Sequence, residues 1–221
     1  MKINVAETRQ NKGFTLIEMI GVLAVIAILA AVLIPKVFEA INNSRVNNAA
    51  MSCQTVKTAM ADHYAKAGSF AAEATIYGTN IPLTLPMENY DQVLMRESFM
   101  DKPFATKIGN GATGAAGTRA RVDVISTGAT RALALGATVD GTYTTGYALS
   151  GGGTNVVVGS ALLECVITGV TENDAKDLND RIDGPTLGIA IGGGNDINGR
   201  VKYAAPAATG LTDVIIYVTH R

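Results

Sequence analysis

The sequence predicts an α+β protein: a long amino-terminal helix, hydrophobic in its first half and amphipathic in its second, packed on a small antiparallel β-sheet. Three observations carry this reading. An apolar run extends from Phe14 to Ile34 with Glu18 as its only ionisable side chain. Apolar residues then recur every three or four positions as far as Tyr64. From Arg121 onward, short strand-like runs alternate with Gly, Asn and Asp clusters. With 18 basic and 19 acidic residues the chain is near neutral and shows no basic patch, so a nucleic acid partner is not expected.

At a rise of about 1.5 Å per residue, the segment from Phe14 to Ile34 is about 31 Å long, matching the hydrocarbon core of a bilayer. Its Phe, Leu, Ile and Val side chains each favour insertion by roughly 0.3 to 0.6 kcal/mol, against about 2.5 to 3.5 kcal/mol for one central charge. The sum favours the membrane. Lys2, Arg9 and Lys12 precede the span, offset only by Glu7. That positive flank stays cytoplasmic and the rest of the chain lies across the membrane. A secretory signal would have a shorter apolar region and a small-residue cleavage site, for which Pro35-Lys36 is a poor context. A plain signal anchor fits the length but gives Glu18 no purpose.

Lys12-Gly13-Phe14-Thr15-Leu16-Ile17-Glu18, the apolar run and Pro35 together resemble the amino-terminal signature of type IV pilins and type II secretion pseudopilins. The resemblance covers about residues 12–38. It implies a leader, residues 1–13, removed by a prepilin peptidase that cuts between Gly13 and Phe14. It also implies N-methylation of Phe14 and an assembly role for Glu18. The expected protein is a non-enzymatic subunit of a type IV pilus-like helical filament, with residues 14–35 in the membrane and later in the filament core. Its implied partners are copies of itself, the peptidase, an assembly ATPase and a platform protein, with no cofactor. The precursor would sit in the inner membrane as a single pass, its head outside the cytoplasm, before entering an extracellular filament. The alternatives are a type II secretion pseudopilin in a periplasmic pseudopilus, or a minor pilin acting as an adhesin or DNA-uptake module.

Elementary electrostatics gives Glu18 a reason beside that resemblance. Cleavage would free the Phe14 amine four residues earlier, and an i,i+4 relation puts both groups on one helix face. The positive helix amino terminus also favours a carboxylate. Glu18 can then pair with that amine or a neighbouring subunit's, which would select both partner and register. The competing reading is a carboxylate snorkelling to the headgroups.

Pro35 lacks a backbone donor and clashes with the preceding turn, so a kink is expected there. Residues 36–67 continue as an amphipathic helix: Val46, Ala49, Cys53, Val56, Met60 and His63/Tyr64 share one face, while Asn47, Gln54, Lys57 and Asp62 lie opposite. Gly68 is suited to a left-handed cap. His63 reads as a helix-face residue and not a metal ligand.

Residues 68–221 form the expected head domain. Glu88 to Phe99 reads as a short helix with Tyr90, Val93, Leu94 and Ser98 on one face, and the Gly- and Ala-rich stretch from Gly109 to Gly117 as a loop. Strand-like runs follow at 121–126, 132–135, 155–158, 162–168, 187–191, 200–203 and 214–219. Thr171-Glu172-Asn173-Asp174 resembles a capping box opening a helix with Ala175, Leu178 and Ile182 on one face, closed by Gly184-Pro185.

Cys53 falls on the apolar stripe and Cys165 in a strand-like run, making them a candidate disulfide if the head lies outside the cytoplasm. Such a bridge would close a loop of about 110 residues, to which the chain-entropy model assigns about 4.7 kcal/mol. Two buried free thiols are the alternative. Glu172, Asp174, Asp177, Asp180 and Asp183 read as a solvated acidic helix face, because Arg181 stands where a calcium loop needs an oxygen ligand. No metal is expected. The glycine runs at 151–153 and 192–194 read as turns, since neither is followed by GK[ST].

Overall fold

A single helix, α1 (Leu16–Ala67), dominates the first part of the chain in this computed structural model. The structure describes residues 13–68, 89–110, 119–126, 149, 161–188, 191–192, 194–206 and 208–221. The chain divides into two compact units, Met1–Asn43 and Ser44–Arg221.

In the first unit, α1 is helical without interruption through Pro35. Its apolar side chains stand in solvent: Leu16, Leu23 and Leu29 are 77%, 64% and 63% exposed. Among the described residues α1 is the one helix long and apolar enough to cross a membrane. Beyond the apolar run, Lys36 and Glu39 pair at 3.1 Å on an exposed face, a contact of the kind that contributes little to stability.

In the second unit the remainder of α1 buries one stripe. Val46, Ala49, Cys53, Val56, Ala59, Met60 and His63 are all covered, while Asn47, Gln54, Lys57 and Asp62 are exposed, as the 3.6-residue period requires. The helix closes at Gly68, whose φ of 72° lets its N–H reach the Tyr64 carbonyl at 2.8 Å.

The stripe packs in one apolar core with a four-stranded antiparallel sheet of order β1-β2-β4-β3. Its strands are β1 (Arg121–Ser126), β2 (Ala161–Thr171), β3 (Val201–Tyr203) and β4 (Leu211–His220). Alternation fixes the inner face: Val122 and Val124, Leu163, Cys165 and Ile167, Val201 and Tyr203, and Val214, Ile216 and Val218 all join that core. The β2–β4 register shifts between Ile167 and Val170, where Gly169 takes a φ of 68° and donates its N–H to Asp213 Oδ1. Gly109 passes so close that an added Cβ would meet the Thr168 carbonyl at 2.4 Å.

Two short helices complete the described head. In α3 (Glu172–Ile182) the Thr171 side chain caps the Asp174 N–H at 3.2 Å, and Ala175 and Leu178 enter the core, as the sequence predicts. Helix α2 (Asp91–Arg96) is shorter than the expected span. Asn89 and Ser98 both adopt positive φ, 60° and 63°, which confines the helix between them. Tyr90, Val93 and Leu94 are buried as expected, but Ser98 is exposed and off that face.

The expected strand over 187–191 is not formed at its ends: Leu187 and Ile191 lie in turns and Ile191 is exposed. Gly188 sits where a Cβ would come within 3.2 Å of the Asp180 carboxylate on α3, and residues 189–190 lie outside the described residues. The expected strands over 132–135 and 155–158 lie outside the described residues, as do positions 111–117 of the expected loop.

Candidate functional site

The chemistry-bearing start of the chain lies in the first unit. Gly13 precedes α1 with open space around its Cα, and Phe14 is 82% exposed. Thr15 and Glu18 close a capping box at the helix start. The Glu18 carboxylate accepts from the Thr15 N–H at 2.8 Å and from the Thr15 hydroxyl at 2.6 Å, while the Glu18 N–H points to the same hydroxyl oxygen at 3.4 Å. Thr15-x-x-Glu18 carries the sequence pattern of such a box, and a scan for it would have found Thr15 as the partner of Glu18. The lone acid of the apolar run is thus held at the helix amino terminus, four residues after Phe14. Pro35, the last of the sequence-predicted positions on this segment, stands inside α1.

The head brings two other predicted positions together. Cys53 on α1 and Cys165 on β2 are both buried and approach within 3.8 Å, unbonded in this structure. Burial pushes the Cys165 thiol well above its ordinary value, and the neighbouring Cys53 adds to that shift.

His63 lies on the buried face of α1, as its spacing predicts, and its surroundings there are polar and specific. Its Nδ1 lies 2.6 Å from Glu97 Oε2, and its Nε2 lies 3.4 Å from the Tyr90 hydroxyl. Tyr90 and Phe99 both meet the imidazole ring edge-on, with centroids 6.2 and 5.5 Å away. With Nδ1 donating to Glu97, Nε2 is left to accept from Tyr90, so one buried imidazole ties α1 to both ends of the α2 segment. A contact between residues so far apart in sequence has no local signature.

A second polar hub anchors the start of α2 on β1. Asn89 accepts from Arg119 at 2.7 Å and donates its N–H to Asp123 at 3.1 Å, and Arg121 pairs with Asp123 at 2.9 Å. Asp91 receives the Phe104 N–H at 3.2 Å and faces Arg119 at 3.5 Å. Burial raises the Asp91 carboxyl above its usual range, and Arg119 opposes the shift.

The acidic residues of α3 do not form a uniform solvated face. Asp174 is buried, and Lys176 holds Asp180 at 2.9 Å. Asp183 accepts the N–H groups of Arg200 and Val201 at 2.7 and 2.8 Å, so it secures the entry to β3; burial raises its carboxyl despite these bonds. Asp177 alone among these aspartates is exposed. Among the described residues no three His, Cys, Asp or Glu side chains converge on a point that could hold a metal ion. On the sheet face away from α1, burial lowers the Lys202 ammonium to about 8, with Glu164, Asp196 and Asp183 acting to raise it.

Residues 8–34 match the family model described as the prokaryotic N-terminal methylation motif. No solved structure matches the chain. The matched motif stands at the head of a long helix, apolar then amphipathic, whose second part packs on a small antiparallel sheet, which is the type IV pilin-like fold. The chain thus carries the prepilin-type amino-terminal signature, matched over residues 8–34, at the start of a type IV pilin-like fold.

Proposed function

We propose that the chain is a non-enzymatic structural subunit of a type IV pilus-like filament, made as an inner-membrane prepilin. A prepilin peptidase cuts between Gly13 and Phe14, the new amino terminus is methylated, and residues 14–35 then pack against the same helices of other copies. Residues 36–67 carry the amphipathic continuation of the helix, and residues 68–221 supply the head outside the cytoplasm. An assembly ATPase and a platform protein drive extraction from the membrane.

One observation carries this reading: a membrane-length apolar helix stands exposed along its whole first part, with a single carboxylate held at its amino terminus. Exposed apolar surface on this scale calls for lipid or for other copies, and the acid supplies a register mark that lipid does not need. A proline inside α1 supports the expectation of a soft point that repacks when the helix leaves the bilayer.

The test replaces Glu18 by alanine in the producing cells. Cleavage after Gly13 continues, and filaments containing this chain disappear from electron micrographs. Normal filaments from Glu18→Ala would contradict the pairing role, and uncleaved chain in cells carrying active peptidase would contradict the processing step.

A further inference from the structure

We propose that Cys53 and Cys165 become a disulfide that fastens α1 to the inner strand β2 in the mature head. The geometry is already close. Cys53 sits within the buried stripe between Ala49 and Val56, and Cys165 lies opposite Val122 on β1 and Ile216 on β4, so it sits in the body of the sheet. The two residues approach within 3.8 Å. A disulfide needs its sulfurs about 2.05 Å apart, so the unbonded pair must turn its side chains toward each other to close.

Burial also sets when the bond forms. Cys53 is 6% exposed and Cys165 is fully covered, so an external oxidant does not reach the pair once the head has closed. The exchange therefore runs during folding, with a disulfide-bearing carrier as oxidant. The Cys53 thiolate attacks one carrier sulfur and releases the first carrier thiol; the Cys165 thiolate then attacks the mixed disulfide at Cys53 and releases the second. The two protein thiols lose two protons and two electrons, and the carrier disulfide gains both as two thiols. Closure of the helix over the sheet afterwards shields the bond from reductants. The link constrains the unfolded chain and joins the helix that carries the assembly segment covalently to the sheet.

This inference rests on the proposed placement of the head outside the cytoplasm, where thiols are oxidised. Full-length chain recovered from the producing cells is denatured, alkylated without reductant and weighed intact. The expected result is no alkyl adduct until reductant is added, and two afterwards; two adducts without reductant would overturn the bond in the mature protein. In parallel, purified full-length chain is reduced, unfolded and refolded in detergent with oxidised glutathione. The bond should form there at least about tenfold faster than when glutathione is added to folded, reduced chain. Failure to bond in refolding overturns the pairing itself. Bonding in refolding together with free thiols from cells would instead place the head in a reducing compartment and contradict its topology. Chain unfolded and refolded with reductant present should melt about 5 to 15 °C below chain refolded with the bond formed, and Cys53→Ser refolded either way should melt alike; no difference for the unsubstituted chain would also overturn the proposal.

Discussion

The two halves of α1 share one backbone conformation and obey opposite rules of burial. From Leu16 to Ile34 large apolar side chains project on every side and none is covered within its own unit. From Val46 to His63 apolar residues occupy one stripe, and that stripe is fully buried in the core of the head. A helix that is hydrophobic all round has no inside to face, so its stability must come from lipid or from other chains. A helix with one apolar stripe is satisfied by its own sheet. The difference separates two problems in one protein: the head answers to intramolecular packing, and the first half to whatever surrounds it.

Substitutions can break or sharpen that separation. Met60, fully buried in the stripe, should cost the head about 2 to 5 kcal/mol when truncated to alanine, read as a lower denaturant midpoint. Leu23→Ala, at an exposed position of the first half, should leave the head's midpoint within about 0.5 kcal/mol. Equal effects would mean that the halves are not independent. Glu97→Leu leaves the buried Nδ1 of His63 without its carboxylate and should cost about 1 to 3 kcal/mol in a thermal melt.

Lys202 sharpens the comparison through pH. Burial lowers its ammonium to about 8 in the folded head, against 10.5 as the ordinary value. Between those values the unfolded chain still binds a proton that the folded chain has released, so stability rises with pH. The rise should be about 1 to 2 kcal/mol from pH 8 to pH 10, and Lys202→Met should flatten it. Tyr203, held up to about 12, works in the opposite direction above pH 10, so the window closes there. Within the head a smaller effect belongs to Thr171→Ala, which removes the α3 cap and should cost about 1 kcal/mol without touching the first half.

Local rules made much of this legible. The stripe from Val46 to His63, the Gly68 cap and the Thr171 cap follow from spacing and residue type alone, and the structure places them as expected. The four described strands coincide with or overlap the expected runs at 121–126, 162–168, 200–203 and 214–219, with β2 and β4 longer than expected. The ends of the expected strand over 187–191 differ for a physical reason: an apolar run imitates a strand, while Gly188 packs close to Asp180 on α3. The boundaries of α2 were hidden because Asn89 and Ser98 take left-handed conformations that composition does not announce. Least visible were contacts between distant residues. His63 with Glu97, and Asp183 with the start of β3, join elements that only the assembled head brings together. At the candidate assembly site the acid was plain from its isolation, while its Thr15 partner needed the capping pattern to be sought inside an apolar segment.

Intact and fragment mass spectrometry of the native amino terminus addresses the central claim most directly. Processing in the proposed way gives a chain that begins at Phe14 and carries one added methyl group on its amine. A native chain that still begins at Met1, with its amine unmodified, would contradict it.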